Sequence, residues 1–209
     1  MNQYIVVIDF ETGGIDPHSC EVVQLSAVAI DKNKLEICEN GEFNSLIKPL
    51  DPTKLDPKAM EVNKIALDRL ENAPHQKLVM EQFSTFLKRF SGTSEWHRPI
   101  ISGYNIYNFD YVILNRLCVA HGYVKNNKNT LFHPREILDL LPLSWSWFFQ
   151  TGLVPDMKLT TLANFLGLDT SGAHNAIVDC QITSKILCRI LKFHKEHAKR
   201  ETFYQKMKG

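Results

Sequence analysis

Along the chain the spacing of apolar residues changes from strand-like to helical and back. Residues 4–9 are a continuous β-branched run, and EVVQLSAVAID (21–31) and GEFNSLIKP (41–49) read as two further strands. The polar, turn-prone stretch KNKLEICEN (32–40) separates those two, so three consecutive strands predict an antiparallel meander. From Asp56 to Phe90 the period becomes helical. DPKAMEVNKIALDRL (56–70) opens on an Asp-Pro start signal, and KLVMEQFSTFLKRF (77–90) repeats apolar residues three and four apart. PIISGYN (99–105) then reads as a short buried strand, FDYVILNRLCVAHG (109–122) as a helix stopped at Gly122, and REILDLLPLSW (135–145) as a mixed segment. LTTLANFLGL (159–168) predicts a short helix, and NAIVDCQITSKILCRILKFHKEHAKRE (175–201) a long one with its apolar residues on one side. Strands first and helices crossing between later strands make the expected fold class α/β.

Composition narrows this only slightly. With 209 residues, 44% of them hydrophobic and 22% charged, the chain can bury one sizeable core, and it carries no internal repeat or low-complexity tract. The formal net charge is +1, but residues 192–209 hold six Lys/Arg against two Glu, which leaves the remainder near −3. The expected division is therefore a domain over 1–194 and a basic helix end and tail over 195–209. That tail is either a solvated terminus or an anchor for a polyanion. Five cysteines without a CxxC pair, in a chain with no secretory leader, predict reduced thiols and a cytoplasmic location. No apolar run is long enough to span a membrane, so no membrane partner is expected.

The chemistry starts in VVIDFETGG (6–14). Side chains two apart on an extended backbone share a face, so Asp9 and Glu11 are neighbours at the exit of a buried strand. Asp110 and Asp179 also sit in apolar surroundings, the first after a predicted strand, the second between Val178 and Ile182. Each alone has an ordinary explanation, Asp110 as a helix cap and Asp179 as a partner for a lysine. Four carboxylates converging on a core edge are another matter, because each unpaired, partly buried charge costs several kcal/mol. Divalent cations remove that cost. Oxygen-only ligands favour hard ions such as Mg²⁺ or Mn²⁺ over zinc. His174, five residues before Asp179 in the loop TSGAH, can overhang such a site and supplies a group that exchanges protons near neutral pH. The other seven histidines stand in polar or loop contexts.

DFET at 9–12, NFD ending at Asp110 and HNAIVD at 174–179 together resemble the DEDDh 3′-to-5′ exonucleases, DnaQ-like members of the ribonuclease H-like superfamily. The resemblance runs from about Tyr4 to Leu191 and takes in LDPKAMEVNKIALDRL and KLTTLANFLGL. It implies a mixed five-stranded sheet, three antiparallel strands followed by parallel ones, flanked by helices. By the same resemblance Asp9, Glu11, Asp110 and Asp179 correspond to metal ligands for two Mg²⁺ or Mn²⁺ ions, and His174 to the general base. Thr12 and Gly13 would contact the terminal nucleotide through their backbone, with Asn105 and Phe109 also in the nucleotide pocket. Tyr104, Gln24 and Asn63 depart from the residues common in the family, near that pocket rather than among the ligands.

The activity so implied is removal of 5′-mononucleotides from the 3′ end of a single strand of DNA or RNA. Two rivals are a nucleic-acid-binding module without catalysis and a ribonuclease H-like endonuclease. The aromatic segment Trp145–Phe149 is expected either to pack inside the protein, to stack on bases with Tyr107 and Phe109, or to form a surface for a homodimer or another partner.

Overall fold

The computed structural model describes residues 3–198, so most of the basic tail expected over 195–209 lies outside the described residues. In chain order the elements are β1 (Tyr4–Thr12), β2 (Val22–Asp31), β3 (Glu36–Leu46), α1 (Pro57–Asn63), α2 (Leu67–Glu71), α3 (Gln76–Lys88), β4 (Ile100–Gly103) and α4 (Asp110–Ala120). A two-residue hairpin follows, β5 (Val124–Lys125) with β6 (Lys128–Asn129). The chain continues through β7 (Ile137–Asp139), α5 (Leu140–Ser144), α6 (Leu159–Phe165) and α7 (Ala176–Ala198).

The five main strands run in the order β3-β2-β1-β4-β7. β1 pairs antiparallel with β2, β2 antiparallel with β3, and β4 lies parallel to both β1 and β7. This is the mixed sheet the sequence implies. Burial explains the alternation of β1. Val6, Ile8 and Phe10 join α3 and α4 in one apolar cluster, whereas Ile5 and Val7 join α6 and α7 in another. Both faces of β1 are covered, which is why its apolar run is continuous rather than alternating.

Two boundaries differ from the sequence reading. The segment 32–40 turns only at its start, where Leu35 takes a left-handed φ of 57°, and Glu36 already belongs to β3. β3 is exposed along much of one side, so the charged residues of EICEN fit a strand whose outer face meets water. The expected mixed segment resolves at a single residue: β7 ends on Asp139, whose side chain accepts from Leu141 N–H and starts α5. A π-helical turn over Trp145–Phe149 prolongs α5. It divides the aromatic segment. Trp147 and Phe148 pack toward α7 and α6, Trp147 edge-on to Phe193 at 5.2 Å and Phe148 edge-on to Phe165 at 5.9 Å, while Trp145 and Phe149 remain exposed.

α7 places the last predicted site residue. Asn175 accepts the Ile177 N–H at 3.3 Å in the manner of a helix cap, and Cys180, Ile182, Thr183, Ile186, Leu187 and Ile190 form its buried stripe. That stripe packs on β1 and β2 from the side to which Ile5 and Val7 point. Asp9 and Glu11 continue this side of β1. Among the described residues no helix is long and apolar enough to cross a membrane.

Candidate active site

Asp9, Glu11 and Asp179 each bring a carboxylate oxygen to one place, all within 4.8 Å of one another. β1 supplies the first two on its α7 face, and the first turn of α7 supplies the third. Between Glu11 and Thr12 the β1–β2 register shifts, a bulge at the strand end of the kind that re-aims side chains beside functional sites. Asp110 comes from the other side. It is the first residue of α4, whose Ile113, Leu114 and Leu117 belong to the opposite apolar cluster, and its Oδ1 accepts the Phe10 N–H at 3.0 Å. That bond ties Asp110 to the backbone between Asp9 and Glu11. The four acids therefore meet at the end of β1, with Asp110 buried and the others half-buried.

Their titration reflects the crowding. Burial, then the neighbouring Asp110, Glu11 and Asp179, hold the Asp9 carboxyl well above the ordinary carboxylate range. Burial and the charges of Asp179 and Asp110 push Glu11 up to about 8. Asp110 is raised by burial and by Asp139, against the N–H groups it accepts. Burial raises Asp179 too, offset by the His174 N–H and the His174 ring. Behind them the Cys180 thiol is buried against the Val7 and Ser26 carbonyls, and burial with the adjoining acids keeps it neutral. Gln24 sits opposite Glu11 on β2 and donates Nε2 to Asn44 at 2.8 Å, so a neutral amide lies where a further carboxylate would add repulsion.

A pH dependence follows. The folded chain keeps a proton on Glu11 that the unfolded chain loses above its ordinary value of 4.5, so metal-free stability is expected to fall as pH rises from about 4.5 to about 8. Asp9, Asp110 and Asp179 shift in the same direction and add to the fall. Denaturant midpoints at about pH 5 and about pH 8.5 check this: the second should be lower in EDTA, and the gap should narrow with Mg²⁺. Equal midpoints in EDTA would show that the acids do not strain the fold.

His174 lies on the loop entering α7, exposed, with a left-handed φ of 69°. Its N–H donates to Asp179 Oδ2 at 3.2 Å, which couples the loop to the acid cluster. Thr12 and Gly13 form the opposite rim. The Thr12 carbonyl accepts Asn63 Nδ2 at 3.2 Å, and Gly13 donates to Glu21 O and accepts from Asp56 N, both at 2.8 Å. Leu55 packs closely on Gly13: an added Cβ would lie 2.3 Å from Leu55 Cδ2, so a larger residue there must displace the end of the leucine side chain. Asn105 also takes a left-handed φ, 59°, and its side chain accepts from Asn108 Nδ2, while Phe109 leans on the core. Tyr107 is exposed and donates its hydroxyl to the Ile137 carbonyl.

Of the supporting residues, Asn63 is already marked in the sequence by its departure from the family, whereas Glu21 and Arg116 escape a sequence reading. Asn63 is buried and pins Thr12, and buried Glu21 accepts the Leu50 and Asp51 N–H groups at 2.7 and 3.2 Å, fixing the strap that carries Leu55. Arg116 holds the loop after Gly13 by donating to the Cys20 carbonyl at 2.7 Å. A glutamate at a strand start carries no distinguishing signal until the chain is folded.

The mixed sheet has the ribonuclease H-like arrangement, with three carboxylates converging at the end of its first strand. A family model described as an exonuclease, RNase_T, matches residues 6–187, and the chain belongs to that exonuclease family, a DnaQ-like branch of the superfamily. Ribonuclease T of Histophilus somni is 24% identical over 194 residues, covering 91% of this chain and 84% of the relative. The PolC-type DNA polymerase III of Thermotoga petrophila is 28% identical over 93% of this chain, which spans only 12% of that protein. Among solved structures, E. coli exonuclease I in complex with a dA16 oligonucleotide superposes with a TM-score of 0.71 at 17% identity, over 93% of this chain and 43% of the other. Cell-death related nuclease 4 does so with a TM-score of 0.70 at 20% identity, over 91% and 64%.

Proposed function

We propose that the chain is a divalent-metal-dependent 3′-to-5′ exonuclease that releases 5′-mononucleotides from the 3′ end of single-stranded DNA or RNA. The convergence of Asp9, Glu11 and Asp179 within 4.8 Å, with Asp110 bonded to the same strand end, carries this reading. Acids raised so far above their ordinary range are a donor set short of positive charge, and an all-oxygen set suits Mg²⁺ or Mn²⁺. When bound, two such ions would offset the charge of the phosphodiester and of the four acids.

The residues of the chain do the rest. Asp9, Glu11 and Asp179, on the α7 side of the sheet, and Asp110, on the α4 side, would hold the ions. His174, anchored through its N–H to Asp179, takes the proton from the attacking water. On the far rim the Gly13 N–H donates to Glu21 while the Thr12 and Gly13 carbonyls accept from Asn63 and Asp56, so contact with the terminal nucleotide would use the second lone pair of those carbonyls. Phe109, half-buried and supported by the core, offers a ring edge to a base, and Asn105 shapes the loop beside it. E. coli exonuclease I has been captured with single-stranded oligonucleotides, which supports an unpaired substrate for this chain as well.

The test is a digestion of labelled linear single-stranded DNA, duplex DNA, RNA and a single-stranded circle of matched sequence. Mononucleotides should appear from the linear single strands with Mg²⁺, and none with EDTA or a blocked 3′ end. Cleavage of the circle would instead identify an endonuclease, and binding without cleavage a non-catalytic module.

A further inference from the structure

β7 ends in a carboxylate with more bonds than its capping position requires. Asp139 is buried at 7% exposure, and among the described residues no lysine or arginine forms an ion pair with it. Backbone N–H groups satisfy it instead. Oδ1 accepts from Leu141 N and from Asn105 N, both at 2.9 Å, and Oδ2 faces Tyr107 N at 3.5 Å. The Leu141 bond caps α5, a task that serine or asparagine performs about as well and that needs one oxygen. The other two reach a different part of the chain, the strap between β4 and α4.

That strap is an awkward piece of backbone. It leaves β4 at Gly103, where a Cβ would stand 3.1 Å from both Ile106 Cβ and the Ile8 carbonyl. It then turns through Asn105 at φ 59° and reaches Phe109 at φ −136° and ψ −75° before Asp110 begins α4. A left-handed residue other than glycine, such as Asn105, persists where surrounding contacts fix it. Asp139 fixes this one on the side facing β7, and the Tyr107 hydroxyl bond to Ile137 O adds a second hold on the same strand. Asp110 follows immediately and docks on Phe10 N. A full negative charge is costly to bury for capping alone, but a carboxylate can receive the strap and the helix at once.

We infer that Asp139 is a positioning residue: by gripping the Asn105 and Tyr107 N–H groups it sets where the Asp110 carboxylate arrives against β1. This rests on the reading of Asp110 as a metal ligand. It also separates Asp139 from that ligand set, because its oxygens face backbone donors.

The experiment compares the full chain with Asp139→Asn, which removes the charge and one acceptor, and with Asp139→Ser, which keeps a cap acceptor for Leu141. In metal-free protein, amide exchange over residues 105–110 should accelerate at least about tenfold in both variants, with β1, β2 and β3 unchanged. Mn²⁺ affinity by calorimetry should weaken about tenfold to a hundredfold, the usual effect of removing a partner that orients a metal ligand. Wild-type exchange and wild-type Mn²⁺ affinity in either variant would overturn the inference, as would loss of α5 protection with the strap still protected. Absence of Mn²⁺ uptake by the unmodified protein would instead sink the metal-site reading, so the two failures are distinguishable.

Discussion

Asparagine in place of Asp9 is expected to leave a folded protein whose nuclease rate falls by about three decades, the upper end of what one electrostatic stabiliser supplies. The reason is position. Of the four acids, Asp9 has the titration most affected by the rest, with Asp110, Glu11 and Asp179 all acting on it, so it stands where their fields overlap. Ions bound there would meet the combined charge, and a neutral amide would weaken that attraction at its centre. The same substitution relieves repulsion when no ion is present. Metal-free melting temperature should therefore rise, by about 2–4 °C for each kcal/mol gained in a chain of this size. Calorimetric melting of wild type and Asp9→Asn in EDTA, alongside single-turnover cleavage with Mg²⁺, reads both effects. A variant that is slower and also less stable without metal would mean that Asp9 is structural, and the opposed signs are the signature of a binding site built under strain.

His174 gives the second large effect. Its replacement should lower turnover by two decades or more, within the range for a positioned general base, while Mn²⁺ uptake and melting stay close to wild type. Exposure at the surface supports the unchanged fold. The choice of replacement matters, because His174 holds a φ of 69° that alanine tolerates poorly. Asparagine accepts that conformation more readily and keeps the backbone N–H to Asp179. His174→Asn thus isolates loss of the imidazole, whereas His174→Ala also stresses the loop. Equal losses in the two variants with metal affinity intact assign the effect to the ring. Wild-type turnover in His174→Asn would remove the ring from the mechanism.

What the sequence discloses about this site depends on how local each signal is. Asp9 and Glu11 are readable because two residues on a strand always share a face, and the apolar run before them fixes that strand. Asp179 is readable from its place in the apolar stripe of a long helix, with His174 at a fixed distance upstream. Asp110 is not readable this way. An aspartate at a helix start is ordinary, so Asp110 is marked by its apolar surroundings and by the NFD motif rather than by a local period, and the 3.0 Å bond from Phe10 N shows where it docks. Asp139 was further still from view, inside a segment that mixes strand and helix periods because the change from one to the other happens at that residue. The start of β3 was missed for a different reason. Charged residues on an open sheet face look like a turn until the partner strand is known.

The order of the elements along the chain bears on what holds the site together. β1 and α7 stand at opposite ends of the order of described elements, yet the cluster that β1 begins is closed by the opening turn of α7. Any change that unseats α7 from β1 and β2 therefore also opens the acid cluster, so the packing of the long helix and the geometry of the site are expected to fail together.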